Sequence, residues 1–196
     1  MPHDCLDPIP VACEIVQAFQ SFVTSRINVF DPVVLTTTKI EAGTTSNVIP
    51  ETAEVLGTLR STSEKSRSKA HAGMERLATQ IAIAHELEAE ITISKGYPVT
   101  VNEPEFVDFA KNCTLEVLGD QSFISMKTPM MGAEDFSYFL QRWPGAMFFL
   151  GVKPEDASLA APCHSNRMIL NEDSMAHGIA LHAGIAMKWL AQQSAI

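Results

Sequence analysis

Apolar residues recur at three- and four-residue steps from the start of the chain. Ile9, Ala12, Ile15, Val16, Phe19 and Phe22 share one helical stripe. Asp7 is a good N-cap and Pro8 suits a first helical position, so a helix is predicted from there to about Ser25. Asp31-Pro32 interrupts it. Val33 to Ile40, rich in Val, Leu, Ile and Thr, reads as a strand. Gly43 and the small polar residues up to Asn47 mark a turn. Ala53 to Ser61 then alternates with period two. Ala53, Val55, Gly57 and Leu59 fall on one face, and Glu54, Leu56, Thr58 and Arg60 on the other. A second helix is predicted from Thr62-Ser63-Glu64, with Ala70, Met74, Leu77, Ile81 and Ala84 as its stripe. Leu87 to Ser94 alternates like a strand, with Leu87, Ala89, Ile91 and Ile93 together, until Gly96-Tyr97-Pro98 ends it.

After Pro98 the pattern changes. A helix is predicted from about Glu103 to Leu118, with Phe106, Phe109, Ala110 and Cys113 inward. Phe123 to Met126 reads as a short strand. Met131-Gly132-Ala133-Glu134-Asp135 leads into a short helix ending near Gln141, and Pro144-Gly145 makes a turn. Ala146 to Gly151 has the small, apolar character of a strand buried in a parallel sheet. A loop carries Cys163-His164, and Asn171 or Ser174 caps a last helix reaching about Gln192. The boundary falls near residue 97, giving residues 1–97 and residues 98–196. The first part runs α-β-β-α-β. A ferredoxin-like sandwich runs β-α-β-β-α-β, so the first part matches one that lacks its opening strand.

Composition narrows the function classes. The 196 residues are 46% hydrophobic and 19% charged, an ordinary globular balance rather than a disordered one. Fourteen basic against 23 acidic residues leave a formal net charge of −9. With no basic stripe, nucleic acid is not an expected partner. No apolar run approaches the ~20 residues that span a bilayer, and the Met1-Pro2-His3-Asp4-Cys5 start lacks the basic and apolar regions of a signal peptide. Cys5, Cys13, Cys113 and Cys163 form no C-x-x-C pair. A cytoplasmic chain with reduced thiols is the resulting expectation.

Few side chains stand out chemically. His71 and His85 lie on or beside the polar face of the second predicted helix. His177 and His182 lie in the last helix, about 140° apart around its axis, too far to chelate one ion together. His164 differs, because it sits in a loop after a buried strand, where α/β sites form. Glu134-Asp135 is a carboxylate pair at a helix start, which the helix dipole alone would favour. Arg60 projects from the face of its strand opposite Leu59, where a guanidinium could grip a carboxylate in a fork. Asn47 lies in the turn leading to that strand.

Several segments together resemble one family. Met1-Pro2-His3-Asp4-Cys5-Leu6-Asp7-Pro8-Ile9 resembles the Pro-His…Asp-Pro-Ile opening of the lid-domain helix in metallopeptidases of the aminoacylase/hippurate hydrolase/carboxypeptidase G type. Gly43-Thr44-Thr45-Ser46-Asn47-Val48-Ile49-Pro50 resembles its Gly-x-x-x-Asn-Val-Ile-Pro. Gly57-Thr58-Leu59-Arg60-Ser61 resembles its Gly-Thr-x-Arg strand, and Gly96-Tyr97-Pro98…Asn102 its return segment. Gly132-Ala133-Glu134-Asp135-Phe136 resembles its Gly-x-Glu-Asp-Phe loop. Pro144-Gly145 and Cys163-His164 to Asn171-Glu172-Asp173 resemble its last block.

The resemblance implies a mixed α/β chain. It has a ferredoxin-like lid, or dimerisation, domain without its first strand, over residues 1–97. Residues 98–196 are then the C-terminal part of a zinc-peptidase-like α/β catalytic domain, with apolar surface exposed for want of the rest of its sheet. It implies hydrolysis of the amide bond of N-acyl amino acids by a water held between two divalent ions (zinc, manganese, cobalt or nickel). His164 corresponds to a metal ligand. Asn47, Arg60, Gly132 and Glu134 correspond to substrate-binding positions, with Arg60 and Asn47 directed at the free carboxylate. The general base and the other ligands belong to an N-terminal half that these residues do not include. A homodimer formed through the lid is implied as well. The rival expectation is a catalytically inactive module that only dimerises or binds substrate. Ser165-Asn166 stands where the family often carries a proline after the ligand histidine.

Overall fold

The computed structural model describes residues 1–193, the side chain of Gln193 excepted. The chain forms two compact units. One comprises Met1–Val99 with Pro129–Glu134, and the other Thr100–Thr128 with the chain from Asp135 onward.

In the first unit, helix α1 (Pro8–Arg26) begins as its sequence dictates. The Asp7 carboxylate accepts from the Ile9 amide at 3.0 Å, and Pro8 takes a position whose N–H would have no helical partner. Strand β1 (Val33–Ala42) pairs antiparallel with β2 (Ala53–Ser61), placing Val34 opposite Arg60, Leu35 opposite Leu59 and Ala42 opposite Ala53. A bulge at Thr38 shifts the register between Thr37 and Lys39. Opposite it, Gly57 leaves room for the bulged strand, since a Cβ there would lie 2.7 Å from the Thr36 carbonyl oxygen.

Helix α2 (Glu64–Ala84) is capped by the Ser63 hydroxyl, which accepts from the Ser66 amide at 3.0 Å. The stripe read from the sequence is rotated. Ala70 is buried as expected, but Met74, Leu77 and Ile81 are only half-buried and Ala84 is exposed. The fully buried residues are Ser66, Ala70, Gly73, Ala78 and Ala82. Small residues win because α1 comes very close. A Cβ on Gly73 would sit 2.1 Å from the Phe22 ring. Phe22, Ile27, Val33 and Ala70 form the core, with Val23, Leu59 and Leu77 packed against it. Asp31 ties the elements together by accepting from the hydroxyls of Thr62 (2.9 Å), Ser63 (2.7 Å) and Ser66 (2.7 Å). These donors hold its carboxyl below the usual range, the Ser63 hydroxyl most of all.

Three predicted strands are not strands among the described residues: Leu87–Ser94, Phe123–Met126 and Ala146–Gly151. The alternation of the first is real. Leu87, Ala89, Ile91 and Ile93 are half-buried, while Glu88, Glu90, Thr92 and Ser94 are exposed. Alternation selects a face, but a ladder also needs a neighbouring backbone, and the only ladder among the described residues is β1–β2.

In the second unit, α3 (Pro104–Leu118) packs on α5 (Ser174–Gln193). The rings of Phe106 and Phe109 each meet Trp189 edge-on at 5.2 Å, and Ala110, Cys113 and Thr114 are buried. Helix α4 (Ser137–Leu140) is a single turn. The Asn102 side chain imitates a ladder rung. Its Nδ2 donates to the Met147 carbonyl at 3.0 Å, its Oδ1 accepts from the Met147 amide at 2.8 Å, and the next amide, Glu103, donates to Gly145 O at 2.9 Å. Many large apolar residues stay exposed, among them Ile124 at 84% and Ile179 at 70%. No helix among the described residues is long and apolar enough to cross a membrane.

Candidate functional site

The outer face of the β1–β2 hairpin carries the first group of candidates. Leu59 packs toward the core, so its neighbour Arg60 projects from the opposite side and is exposed. Two cations stand on this face. Lys39 is paired with Glu41 and lies 3.4 Å from Glu54. Glu41 and then Glu54 hold its ammonium above the ordinary value, and Lys39 in turn lowers the Glu41 carboxyl. Arg60 has no carboxylate partner among the described residues. Its Nη1 donates instead to the Met131 carbonyl, 2.5 Å away and 71 residues along the chain.

That bond brings the second motif to the first. Pro129–Glu134 belongs to the same unit as the hairpin. Met131 and Glu134 are half-buried, while Gly132 and Ala133 between them are exposed. Gly132 has ordinary negative φ, and a Cβ on it would meet nothing within 4 Å. Its backbone therefore fronts open space beside the carbonyl that holds Arg60.

Asn47 is not part of this cluster through the hairpin. It lies in the exposed loop of residues 43–52, where its Oδ1 accepts from the Thr45 hydroxyl at 3.2 Å. The ladder places the base of that loop, at Ala42 and Ala53, about 23 Å along β2 from Arg60.

His164 lies in the other unit. It is exposed and adopts φ +70°, a left-handed conformation uncommon for a non-glycine residue. The Ser165 amide closes the turn on Pro162 O at 3.0 Å. Among the described residues no three or more His, Cys, Asp or Glu side chains converge as a metal site would require.

His71, His177 and His182 lie in helices, and His85 caps the end of α2. His71 is held below its usual value first by burial, then by Arg67 and Lys95. His85 Nε2 lies 2.8 Å from Glu14, joining α2 to α1. His177 and His182 are exposed on α5. Sequence reasoning missed the Met131 carbonyl as the partner of Arg60. It also missed the clamp formed when Arg67 donates to Tyr97 O at 2.9 Å while Glu64 accepts from the Val99 amide at 3.3 Å. Backbone acceptors carry no residue signature, so no pattern could have announced the first. The Glu64/Arg67 pair, three residues apart on a helix, was a visible signal for the second.

Known proteins share this chain's sequence and fold. A family model for peptidase family M20/M25/M40 matches residues 11–188. Thermostable carboxypeptidase 2 of Saccharolobus solfataricus is 36% identical over 189 residues, 96% of this chain and 47% of that protein. IAA-amino acid hydrolase ILR1-like 4 of Arabidopsis thaliana is 31% identical over 199 residues, 100% of this chain and 45% of that protein. A Bacillus subtilis structure described as a dinuclear metal binding peptidase from the M20 family has a TM-score of 0.77 at 26% identity, over 95% of this chain and 47% of that one. The chain spans about half the length of the curated relatives it matches.

Proposed function

Since the chain belongs to peptidase family M20/M25/M40, we propose that it is the substrate-gripping part of a longer metal-dependent amidohydrolase that cuts the amide bond of N-acyl amino acids. The observation that carries this reading is Arg60, an exposed guanidinium with no carboxylate partner among the described residues, beside the open backbone at Gly132. The product and the substrate both present a free carboxylate, which a guanidinium fork fits. Relatives named as a carboxypeptidase and an IAA-amino acid hydrolase accord with such substrates.

In this reading residues 1–97 are the lid and dimerisation domain, and residues 98–196 are part of the catalytic domain. Glu134 lines the same site, while Asn47, at the far end of the hairpin, supplies its hydrogen bond to substrate held by the neighbouring subunit of the dimer. His164 is one ligand of a dinuclear centre of zinc, manganese, cobalt or nickel. Zinc needs about four ligands per ion. In this reading the other ligands and the general base come from the rest of the longer enzyme. The enzyme is cytoplasmic and its substrate is a small molecule.

The absence of converging ligands among the described residues favours a second reading for residues 1–196 taken alone, a binding and dimerisation module without turnover. One experiment tests the grip. Binding of N-benzoylglycine and of its methyl ester is measured by calorimetry on the chain and on Arg60→Ala. An exposed ion pair supplies at most about 1 kcal/mol, so the acid should be preferred by roughly fivefold and the variant should lose the preference. Equal binding of acid and ester by the unaltered chain would make Arg60 an ordinary surface residue.

A further inference from the structure

We infer that Arg60 is also a positioning residue: its hydrogen bond to the Met131 carbonyl latches Pro129–Glu134 onto the hairpin, and carboxylate binding at the same guanidinium tightens that latch. The second half of the inference rests on the proposed reading of Arg60 as the carboxylate's partner, and the first half does not.

The geometry supports a shared guanidinium. Arginine presents several N–H donors in one rigid plane. Here Nη1 is spent on Met131 O, 2.5 Å away. Nε and Nη2 have no partner among the described residues and form the side of the fork that a carboxylate meets in two parallel bonds. Holding Nη1 fixes the plane, so that edge is already oriented when the anion arrives.

The segment has reason to need the latch. Between Thr128 and Ser137 the chain has no regular structure, and Pro129 has no N–H to give. A Cβ on Gly132 would meet nothing within 4 Å, so that side of its backbone fronts open space. The half-buried pair Met131 and Glu134 faces inward while Gly132 and Ala133 face out. Held at Met131, the segment presents Gly132 and Glu134 together beside the hairpin. A bound carboxylate would lower the mobility of the guanidinium, and with it the mobility of the carbonyl on its other donor.

Hydrogen exchange followed by mass spectrometry on the 196-residue chain tests both halves. Arg60→Ala should speed exchange across residues 130–134 about tenfold, as expected on losing one charge-assisted hydrogen bond. Amides of β1 and β2 away from position 60 should exchange at the unaltered rate, which excludes general unfolding. Arg60→Lys should restore most of the protection, because an ammonium can serve one carbonyl. N-benzoylglycine should slow exchange of residues 130–134 in the unaltered chain, its methyl ester should not, and Arg60→Lys should respond to neither, because an ammonium lacks the fork. Unchanged exchange in Arg60→Ala would overturn the latch. A latch lost in Arg60→Ala, with acid and ester acting alike on the unaltered chain, would overturn the coupling. Binding of the acid without preference over the ester would place the failure in the carboxylate reading rather than in the latch.

Discussion

At the scale of single residues, Asp31 and Gly132 show how differently a polar anchor and an open glycine behave. Asp31 accepts three hydroxyl hydrogen bonds that require its ionised form, and they lower its carboxyl. A depressed carboxyl stabilises the fold fully above the ordinary aspartate range, near about 3.9. That contribution fades as pH falls through the lowered native value. Asp31→Asn should therefore lower the melting temperature at pH 7, and the gap to the unaltered protein should narrow below about pH 4, where the carboxyl begins to protonate. Thermal melts at pH 7 and pH 3 measure it, and a gap that widens in acid would contradict the assignment. Gly132 has no positive φ, and a Cβ on it would meet nothing within 4 Å. Gly132→Ala should leave the folding stability within about 0.5 kcal/mol of its original value, the usual range for a site away from packing. If the position faces substrate, the same change should weaken binding of N-benzoylglycine in calorimetry. A large loss of stability would mean that the glycine has a structural duty the geometry does not reveal.

At the scale of elements, most helices were legible because their signals are local. Asp7-Pro8, Ser63 and the apolar periodicity of residues 103–118 each concern groups within four residues of one another. The hairpin faces were legible for the same reason, and they put Arg60 on the outer side before any contact was known. What escaped was pairing at a distance: that Leu87–Ser94 has no ladder among the described residues, the bulge at Thr38 and the Met131 carbonyl under Arg60. The rotated face of α2 escaped too, because close helix packing rewards small side chains where periodicity counts only apolar ones. Gly73 records that closeness. Gly73→Ala gains about 1 kcal/mol of helix propensity. It also drives a methyl group into the Phe22 ring, and such overpacking costs about 1–3 kcal/mol. Denaturant unfolding should show a net loss, and adding Phe22→Leu should recover part of it if the ring is the obstacle. Asn102→Ala should cost about 1–3 kcal/mol in the same assay, since it leaves the part-buried Met147 amide and carbonyl without partners.

At the scale of the whole molecule, the two units differ in how completely they bury what their sequences offer. The first unit closes a core around Phe22, Ile27, Val33 and Ala70. The second leaves one side of α5 exposed, with Met175, Ile179, Met187 and Leu190 outward while Trp189 packs on α3. A helix apolar on both sides is one built for burial on both sides. His164 is exposed and no cluster of ligands converges among the described residues, whereas ions held tightly need several. The chain, loaded with zinc and then desalted, should therefore retain less than about one ion per molecule and hydrolyse no N-acyl amino acid. His164→Ala in the same chain should change neither result. In a longer protein carrying the remaining ligands, the identical substitution should remove one ion of the pair and lower turnover by about a hundredfold or more, while the melting curve without metal stays put. Elemental analysis with a parallel amidase assay decides the matter. Two zinc ions retained per 196-residue chain would show that the ligands are all within it, and full metal content in the longer His164→Ala protein would return His164 to the class of ordinary loop histidines.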